Sequence, residues 1–268
     1  MNISERRKLM YTTKSQYIQL NDNSIYVETI ETSKDKPAIV FLHDSLGCVA
    51  LWRDFPKKVS EATGCNVLVY DRLGYGKSDP MATFERQSDY LEIEADFLME
   101  LLAVMQLSNV ILLGHSDGGS IALITAAKYS SVVNGVICEA AHIFVEDVTL
   151  DGIVEAIHSY ETTNLAQRLE KYHGDKVDML FKAWTKTWTS AGFKHWNIEH
   201  FLKDIMCPLL FIQGEKDEFG SMLQVKETIR QVSGYAQSFI VPNTGHTPHK
   251  EAPEITFDAV STFVKTLL

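Results

Sequence analysis

The feature that most constrains the fold of this chain is a serine placed between an apolar run and a small-residue segment. The apolar run 109–113 leads into Gly114-His115-Ser116-Asp117-Gly118, and a helical pattern follows over residues 119–128. A serine with glycine two residues before and after it, on a strand-to-helix turn, is typical of a nucleophile elbow. Such a turn presents the hydroxyl at the start of a helix, where the N-terminal amides favour negative charge. Because a bare G-x-S-x-G also occurs in ordinary glycine-rich turns, the rest of the chain has to decide between the two interpretations.

Length and charge limit the classes of protein to consider. The chain has 268 residues, of which 45% are hydrophobic and 22% charged, which suits one α/β domain with an insertion or two separate domains. The net charge of −10 argues against nucleic acid or an anionic membrane as a partner. No apolar run approaches the ~20 residues of a membrane span. The polar segment 1–15 lacks the apolar core of a signal peptide, so we expect a cytoplasmic protein, either a monomer or a homodimer.

Neither the cysteines nor the histidines form a pattern that indicates a metal site. The four cysteines are scattered and include no C-x-x-C pair, which predicts buried reduced thiols and neither disulfides nor a zinc site. The chain has no H-x-H-x-D-H cluster, and His195 and His200 are not at the i, i+4 spacing of helical metal ligands. We therefore expect no metal and no cofactor.

Short apolar runs alternate with helical patterns along most of the chain. Residues 16–20 and 25–29 flank a turn-rich Asn-Asp-Asn-Ser segment and predict a β-hairpin. Further runs rich in Val, Ile and Leu are typical of strands that are buried on both faces of a parallel sheet; they cover residues 38–42, 66–70, 110–113, 133–138, 209–212 and 238–241. Helical spacing between them predicts crossover helices, so the fold class is α/β, with a mostly parallel central sheet flanked by helices.

The alternation breaks between residues 147 and 197, which contain helical pieces and many aromatic residues but no convincing strand. We interpret this segment as a helical cap over the carboxyl edge of the sheet, inserted between a first core part, 1–146, and a second, 198–268. An ordinary helical part of the core is the alternative.

The elbow requires a histidine and an acid on loops that follow later strands. His246 follows the run 238–241 in a glycine-containing loop, and an imidazole there could accept the serine proton and return it to the leaving group; His249 is the fallback. Asp217 follows the run 209–212 at the distance needed to orient His246. Glu139, at the end of the preceding strand, is the alternative acid.

An oxyanion hole needs two backbone amides that point at the developing negative charge. The residue after the nucleophile, Asp117, would supply one N–H group, and Ser45, in the loop after the run 38–42, would supply the other. The carboxylates of Asp117 and Asp44 are awkward neighbours for an oxyanion, and their accommodation is open at this stage.

These motifs come in the order found in the α/β-hydrolase superfamily. The elbow, the His43 loop, Asp71-Arg72-Leu73-Gly74-Tyr75-Gly76-Lys77-Ser78 and the loops carrying Asp217 and His246 carry the resemblance, which extends from about residue 16 to the end. One departure is Asp44, because members of this superfamily usually have glycine after the histidine. The resemblance implies a capped serine hydrolase, similar to bacterial esterases and lactonases, with an acyl-enzyme formed on the serine. Serine at the elbow argues against dehalogenases and epoxide hydrolases of this superfamily, which use aspartate.

The aromatic cap indicates a carboxylic ester or lactone with an apolar acyl portion, acyl-homoserine lactones being among the candidates. We expect His43, Leu46, Trp184 and Trp188 to line the substrate pocket, although aromatic residues at helical spacing also pack inside a cap. A thioesterase, or a carbon–carbon bond hydrolase with Arg53 or Arg168 as the partner of a substrate carboxylate, is an alternative of the same fold. A non-catalytic small-molecule receptor is the alternative outside the enzymes.

Overall fold

A computed structural model describes residues 11–33 and 35–268 of the chain, so the prediction about a leader falls largely outside the described residues. In this part of the chain, eight strands form one sheet in the order β1-β2-β4-β3-β5-β6-β7-β8. β1 and β2 form the predicted antiparallel hairpin, β2 also pairs antiparallel with β4, and the pairings from β4 to β8 are parallel. The strands are β1 Thr12–Leu20, β2 Asn23–Glu31, β3 Ala38–Leu42, β4 Asn66–Tyr70, β5 Val110–His115, β6 Val133–Glu139, β7 Leu209–Gly214 and β8 Ala236–Val241.

Within the described residues, ten α-helices connect and cover these strands, and the mostly parallel α/β fold predicted from the sequence is confirmed. The described helices are α1 Phe55–Thr63, α2 Tyr90–Val104, α3 Asp117–Lys128, α4 Asp147–Thr162, α5 Leu165–His173, α6 Val177–Trp188, α7 Glu199–Leu202, α8 Met222–Gln231, α9 Pro248–Glu251 and α10 Pro253–Thr266. Short 3₁₀ turns lie at Val49–Trp52 and Gly174–Lys176. No described helix is long and apolar enough to cross a membrane.

The core lies on both faces of the sheet, in two clusters of buried hydrophobic residues. β3 and β5 are buried at every residue, as expected for strands covered by helices on both sides. β1 differs, because its first six residues are exposed. This part of the strand lacks an alternating apolar pattern, so the strand predicted from the sequence starts four residues too late. In α2, the apolar residues Ile93 and Val104 are exposed.

The segment 147–197 contains α4, α5 and α6 and no strand. It is joined to the preceding loop by an isolated bridge between Phe144 and Asn197. Trp188, Phe193 and Trp196 pack against one another, with ring centroids 5.0–5.5 Å apart, and belong to the same buried hydrophobic cluster as residues of β3 and β5. Other aromatic residues of this segment contact the site described next.

Candidate active site

Three side chains from the carboxyl end of the sheet form a continuous hydrogen-bonded chain. The Nε2 atom of His246 lies 2.9 Å from the Oγ of Ser116. On the other side of the ring, Nδ1 lies 2.9 Å and 3.0 Å from the two carboxylate oxygens of Asp217. The structure thus brings together the predicted serine, histidine and acid in the arrangement of a nucleophile, a base and an orienting carboxylate.

The backbone at Ser116 is held in a conformation that few residues other than glycine adopt. Ser116 has φ 54° and ψ −119°, between the end of β5 and the first residue of α3. A side chain on Gly114 would overlap the backbone of Gly118, and one on Gly118 would overlap the carbonyl of Leu42. Positive φ at a non-glycine residue costs about 1–3 kcal/mol and persists only where the surrounding packing enforces it. Here the close approach of β5, α3 and β3 at the two glycines enforces it.

Asp217 is held in place by donors from its own loop. One carboxylate oxygen accepts the backbone N–H groups of Phe219 and Gly220, and the other accepts the side-chain amide of Gln213. Burial alone would raise the pKa of Asp217, but the charge and hydrogen bond of His246 and the amide of Phe219 outweigh it and lower the pKa. The carboxylate therefore stays ionised and fixed, as the orienting role requires.

The alternative acid, Glu139, belongs to a different pair. Its carboxylate accepts the backbone N–H of His249 at 2.7 Å and lies 2.9–3.0 Å from the Nδ1 of the same residue. Burial raises the pKa of Glu139, but His249 and His115 nearby outweigh it, so that the pKa lies below its ordinary value. His249, the fallback base, is thus occupied with Glu139 and not with Ser116.

The carboxylate of Asp117 points into a buried polar cluster that the sequence analysis did not identify. The hydroxyl of Tyr90 donates to Asp117 at 3.1 Å and in turn accepts the indole N–H of Trp188 at 2.8 Å. The guanidinium of Arg72 lies 3.7 Å from the same carboxylate. The sequence analysis noted Arg72 only as part of the Asp71–Ser78 motif. That motif does not reveal that Arg72 lies beside Asp117, 45 positions away in the sequence.

The second awkward carboxylate, Asp44, faces the histidine before the nucleophile. Its Oδ1 lies 3.8 Å from the Nδ1 of His115, which is within ion-pair range but too long for a hydrogen bond. Burial opposes ionisation of Asp44, but the proximity of His115 and the charge of Lys250 hold its pKa well below the ordinary value. On its other side, the His115 ring bonds the backbone carbonyl of His246 at 2.8 Å, which ties the base loop to β5.

A cavity of about 180 Å³ lies over Ser116 and His246. The predicted residues Leu46, Trp184 and Trp188 line it, together with the oxyanion candidates Ser45 and Asp117. The other lining residues are Asp44, His142, Thr149, Ile153, Glu218, Phe219 and Thr247. None of the described lining residues is a lysine or an arginine. The segment 147–197 supplies one face of the cavity.

The structure places His43 outside this cavity, which corrects the prediction that it lines the pocket. Its ring is 1% exposed and bonds two backbone groups: Nε2 accepts the N–H of Arg72 at 3.1 Å, and Nδ1 donates to the carbonyl of Asp44 at 2.8 Å. Both ring nitrogens of His43 are therefore engaged by the backbone on the buried side of the loop, which keeps the ring out of the cavity.

His142 is a cavity residue that the sequence analysis missed. It follows β6, its ring bonds the carbonyl of Phe219 at 3.0 Å, and its Nδ1 has no hydrogen-bond partner among the described residues. Burial and the nearby His246 lower the pKa of His142, so the ring is neutral at neutral pH. The four cysteines are free in the structure, and the described residues contain no group of three or more His, Cys, Asp or Glu side chains placed to hold a metal ion.

Sequence comparison identifies the family to which the chain belongs. The model of the alpha/beta hydrolase family matches residues 39–259, a range that includes Ser116, Asp217 and His246. The chain is 31% identical over 192 residues to the serine hydrolase BPHL of Homo sapiens, covering 68% of this chain. It spans 64% of the length of that relative, which is less than two thirds. It is also 27% identical over 260 residues to the sn-1-specific diacylglycerol lipase ABHD11 of Mus musculus, covering 85% of this chain and 81% of the lipase.

Solved structures share the fold. The crystal structure of the serine hydrolase CCSP0084 from the polyaromatic hydrocarbon-degrading bacterium Cycloclasticus zankles matches with a TM-score of 0.80 at 15% identity. The match covers 96% of this chain and 99% of that one. At this level of identity the likeness concerns the architecture alone.

Proposed function

Because the chain belongs to the alpha/beta hydrolase family, and its curated relatives named above are hydrolases, we propose that it hydrolyses a carboxylic ester or a lactone, with Ser116 as the nucleophile. The observation that carries the proposal is the position of His246, whose two ring nitrogens lie 2.9 Å from Ser116 Oγ and from a carboxylate oxygen of Asp217. This geometry suits transfer of the serine proton to the imidazole during attack on a carbonyl carbon.

In the first half of the reaction, Ser116 Oγ bonds to the carbonyl carbon while its proton moves to His246 Nε2. The carbonyl oxygen takes up negative charge, and the backbone N–H groups of Asp117 and Ser45 are the proposed donors to it. Asp217 holds Nδ1–H and stabilises the imidazolium. Collapse of the tetrahedral intermediate expels the alcohol, which takes the proton from Nε2 and leaves an acyl group on Ser116.

In the second half, His246 removes a proton from water, and the resulting hydroxide attacks the acyl carbon. The second tetrahedral intermediate releases the acid and returns the proton to Ser116. For a lactone, the alcohol and the acid are the two ends of one opened product. Substrate, water and the side chains of this protein account for every proton and bond in both halves of the reaction.

The cavity supports a neutral substrate with a compact apolar part. Its apolar walls come from Leu46, Ile153, Trp184, Trp188 and Phe219, and its charged lining residues are acidic. An anionic substrate would meet Asp44 and Glu218 without a cationic partner among the described lining residues. We propose that the segment 147–197 acts as a cap, because three of these five walls belong to it.

The same lining weakens the case for the carbon–carbon bond hydrolase. Arg53 lies on a separate groove of about 480 Å³ whose lining excludes Ser116, and Arg168 is exposed on α5. Neither lines the cavity over the nucleophile, so neither could hold a substrate carboxylate there. The receptor alternative gains no specific support, since binding alone does not require a base within hydrogen-bond distance of a serine.

The test is a substrate panel that compares wild type with Ser116→Ala. The panel contains p-nitrophenyl esters of increasing acyl length, simple lactones, an acyl-homoserine lactone, an acyl-thioester and a dienone acid. We expect turnover of short esters or lactones by the wild type and a loss of at least about 10³-fold in Ser116→Ala. Ser131→Ala, an exposed serine, is the matched control and should retain full activity. Turnover of the dienone acid alone, or of none of these compounds, would refute the proposal.

A further inference from the structure

Arg72 is fully buried beside both donors of the proposed oxyanion site and takes no part in the proton transfers among Ser116, His246 and Asp217. We propose that Arg72 is a positioning residue that orients the Ser45 amide toward the substrate oxygen and neutralises the carboxylate of Asp117. This inference rests on the proposed function. It concerns how two adjacent carboxylates, Asp44 and Asp117, are compatible with a developing oxyanion.

The first link runs through a single peptide group, the one that joins Asp44 to Ser45. Its carbonyl oxygen accepts a hydrogen bond from Arg72 Nη2 at 3.0 Å and another from His43 Nδ1 at 2.8 Å. The N–H of Gly47 adds a third donor at 3.2 Å. Two side chains and one backbone amide therefore hold this carbonyl on the buried side of the loop.

The orientation of the carbonyl fixes the orientation of the amide. The peptide is trans, since the described chain contains no cis peptide bond, and in a planar trans peptide the C=O and N–H bonds point in opposite directions. With the carbonyl turned toward buried Arg72, the N–H of Ser45 is turned toward the cavity that Ser45 lines together with Ser116. Within the described residues this N–H donates to no acceptor, which leaves it available for a substrate oxygen.

The bonds to the carbonyl also strengthen the amide as a donor. A charge-assisted hydrogen bond to a peptide oxygen polarises the peptide group, and such cooperativity strengthens the hydrogen bond that its N–H donates by about 10–30%. Arg72 contributes the charged donor of the set. His43 keeps its donating tautomer because its other nitrogen accepts the N–H of Arg72, so the two side chains act on the carbonyl as one unit.

The second link concerns the other proposed donor, the N–H of Asp117. An ionised carboxylate on the same residue would oppose charge development on the substrate oxygen. Arg72 Nη2 lies 3.7 Å from Asp117 Oδ2, which also accepts the hydroxyl of Tyr90. The same guanidinium nitrogen thus contacts Asp117 and the carbonyl that precedes Ser45, one on each side of the site.

The test compares an ester with its thionoester in wild type and in Arg72→Met. Sulfur is a larger and weaker hydrogen-bond acceptor than oxygen, so the thionoester gains less from oxyanion-hole donors. We expect Arg72→Met to lower kcat for the ester by about 10- to 100-fold, with little change in KM, and to lower the ester-to-thionoester ratio of kcat/KM by a similar factor. A purely structural role would lower both rates equally and leave that ratio unchanged, which would overturn the inference.

Two further variants keep the test decisive. Glu94→Gln removes the other carboxylate near Arg72, whose oxygen lies 3.9 Å from Arg72 Nη1, and leaves the bond to the Asp44 carbonyl in place. The ester-to-thionoester ratio of this variant should match that of wild type. If Arg72→Met does not fold, His43→Phe removes the second side-chain donor to the same carbonyl and should lower the ratio in the same direction. An unchanged ratio in folded His43→Phe would then overturn the inference.

The failure of this inference is distinguishable from the failure of the proposed function. Wild type that hydrolyses the ester, with Ser116→Ala inactive, establishes the function whatever Arg72→Met does. Wild type without esterase or lactonase activity refutes the function, and the inference with it.

Discussion

The Nε2 of His246 lies 2.9 Å from the Oγ of Ser116, although 130 positions separate the two residues in the sequence. Each is placed by a different element: Ser116 by the strained turn between β5 and α3, and His246 by the loop that follows β8. Two contacts from neighbouring strands hold that loop, since His115 bonds the His246 carbonyl and Glu139 bonds the His249 amide. The base is therefore fixed against the nucleophile by the sheet itself.

The two buried carboxylates that are paired with histidines, Asp217 and Glu139, should differ in their effect on rate. Asp217→Asn presents an amide to Nδ1, removes the charge that stabilises the imidazolium and favours the wrong tautomer, so we expect kcat to fall by about 10²- to 10⁴-fold. Glu139→Gln acts on His249 and should change kcat by less than about tenfold. Steady-state kinetics on one ester, with circular dichroism to verify folding, provides the measurement. The reverse order of the two losses would assign the orienting role to Glu139.

Glycine at the elbow should be required for stability as well as for geometry. In Gly118→Ala the new methyl group would overlap the carbonyl oxygens of Leu42 and His43, so we expect a loss of about 1–3 kcal/mol in the free energy of unfolding. Gly192→Ala is the matched control, because its methyl group would meet no atom within 4 Å, and it should shift the free energy by less than about 0.5 kcal/mol. Urea titrations compare the two, and equal losses would contradict this account of the elbow.

Trp184 should limit the length of the acyl chain. The cavity of about 180 Å³ is small, and removal of the indole in Trp184→Ala enlarges it. We expect wild type to prefer butyrate to decanoate p-nitrophenyl esters, and the variant to shift the ratio of kcat/KM toward decanoate by about tenfold. Trp196→Ala removes a tryptophan that is equally buried but outside the cavity lining, and it should leave the ratio unchanged. A shift in both variants would mean that loosening of the cap, and not cavity size, sets the preference.

Buried neutral histidines should make the fold sensitive to acid. Burial lowers the pKa of His43 and of His173, and each ring accepts a backbone N–H, which requires an unprotonated nitrogen. Below pH ~6.5 the unfolded chain binds protons that the folded chain does not, so stability falls with falling pH, by up to about 1.4 kcal/mol per pH unit for each such histidine.

Urea denaturation at several pH values between 7.5 and 5 measures this slope. His173→Asn keeps an acceptor for the N–H of Gly76 but does not titrate, so its stability should depend less steeply on pH than that of wild type. The variant should also be less stable throughout, because it loses the bond to the Leu46 carbonyl. A slope identical to that of wild type would contradict the assignment of His173 as a neutral buried histidine.

The sequence was informative where the signal is local. The parallel strands were predicted to within two residues at either end, because Val-, Ile- and Leu-rich runs that are buried on both faces need no partner to be recognised. Ser116, Asp217 and His246 could be predicted as site residues because each follows a strand in a fixed order along the chain. The exposed start of β1 has no such signal, because it extends the hairpin with β2 through backbone pairing and without buried apolar side chains.

Contacts between distant segments were beyond reach. The problem of two carboxylates at the oxyanion site was visible in the sequence, but its structural answer was not, since Arg72, Tyr90 and Asp117 come from three separate segments. For the same reason His43 was assigned to the substrate pocket, although it bonds backbone groups beneath the loop. Side-chain direction within a loop depends on tertiary packing, which residue order alone does not specify.

The central claim, that Ser116 attacks the substrate, is tested most directly by covalent labelling with a fluorophosphonate followed by peptide mass spectrometry. The account predicts one adduct per chain, located on Ser116, with loss of esterase activity in proportion to labelling. Labelling should be absent in Ser116→Ala and unaffected in Ser131→Ala. An active protein that is not labelled, that is labelled at another residue, or that keeps its activity in Ser116→Ala would contradict the claim.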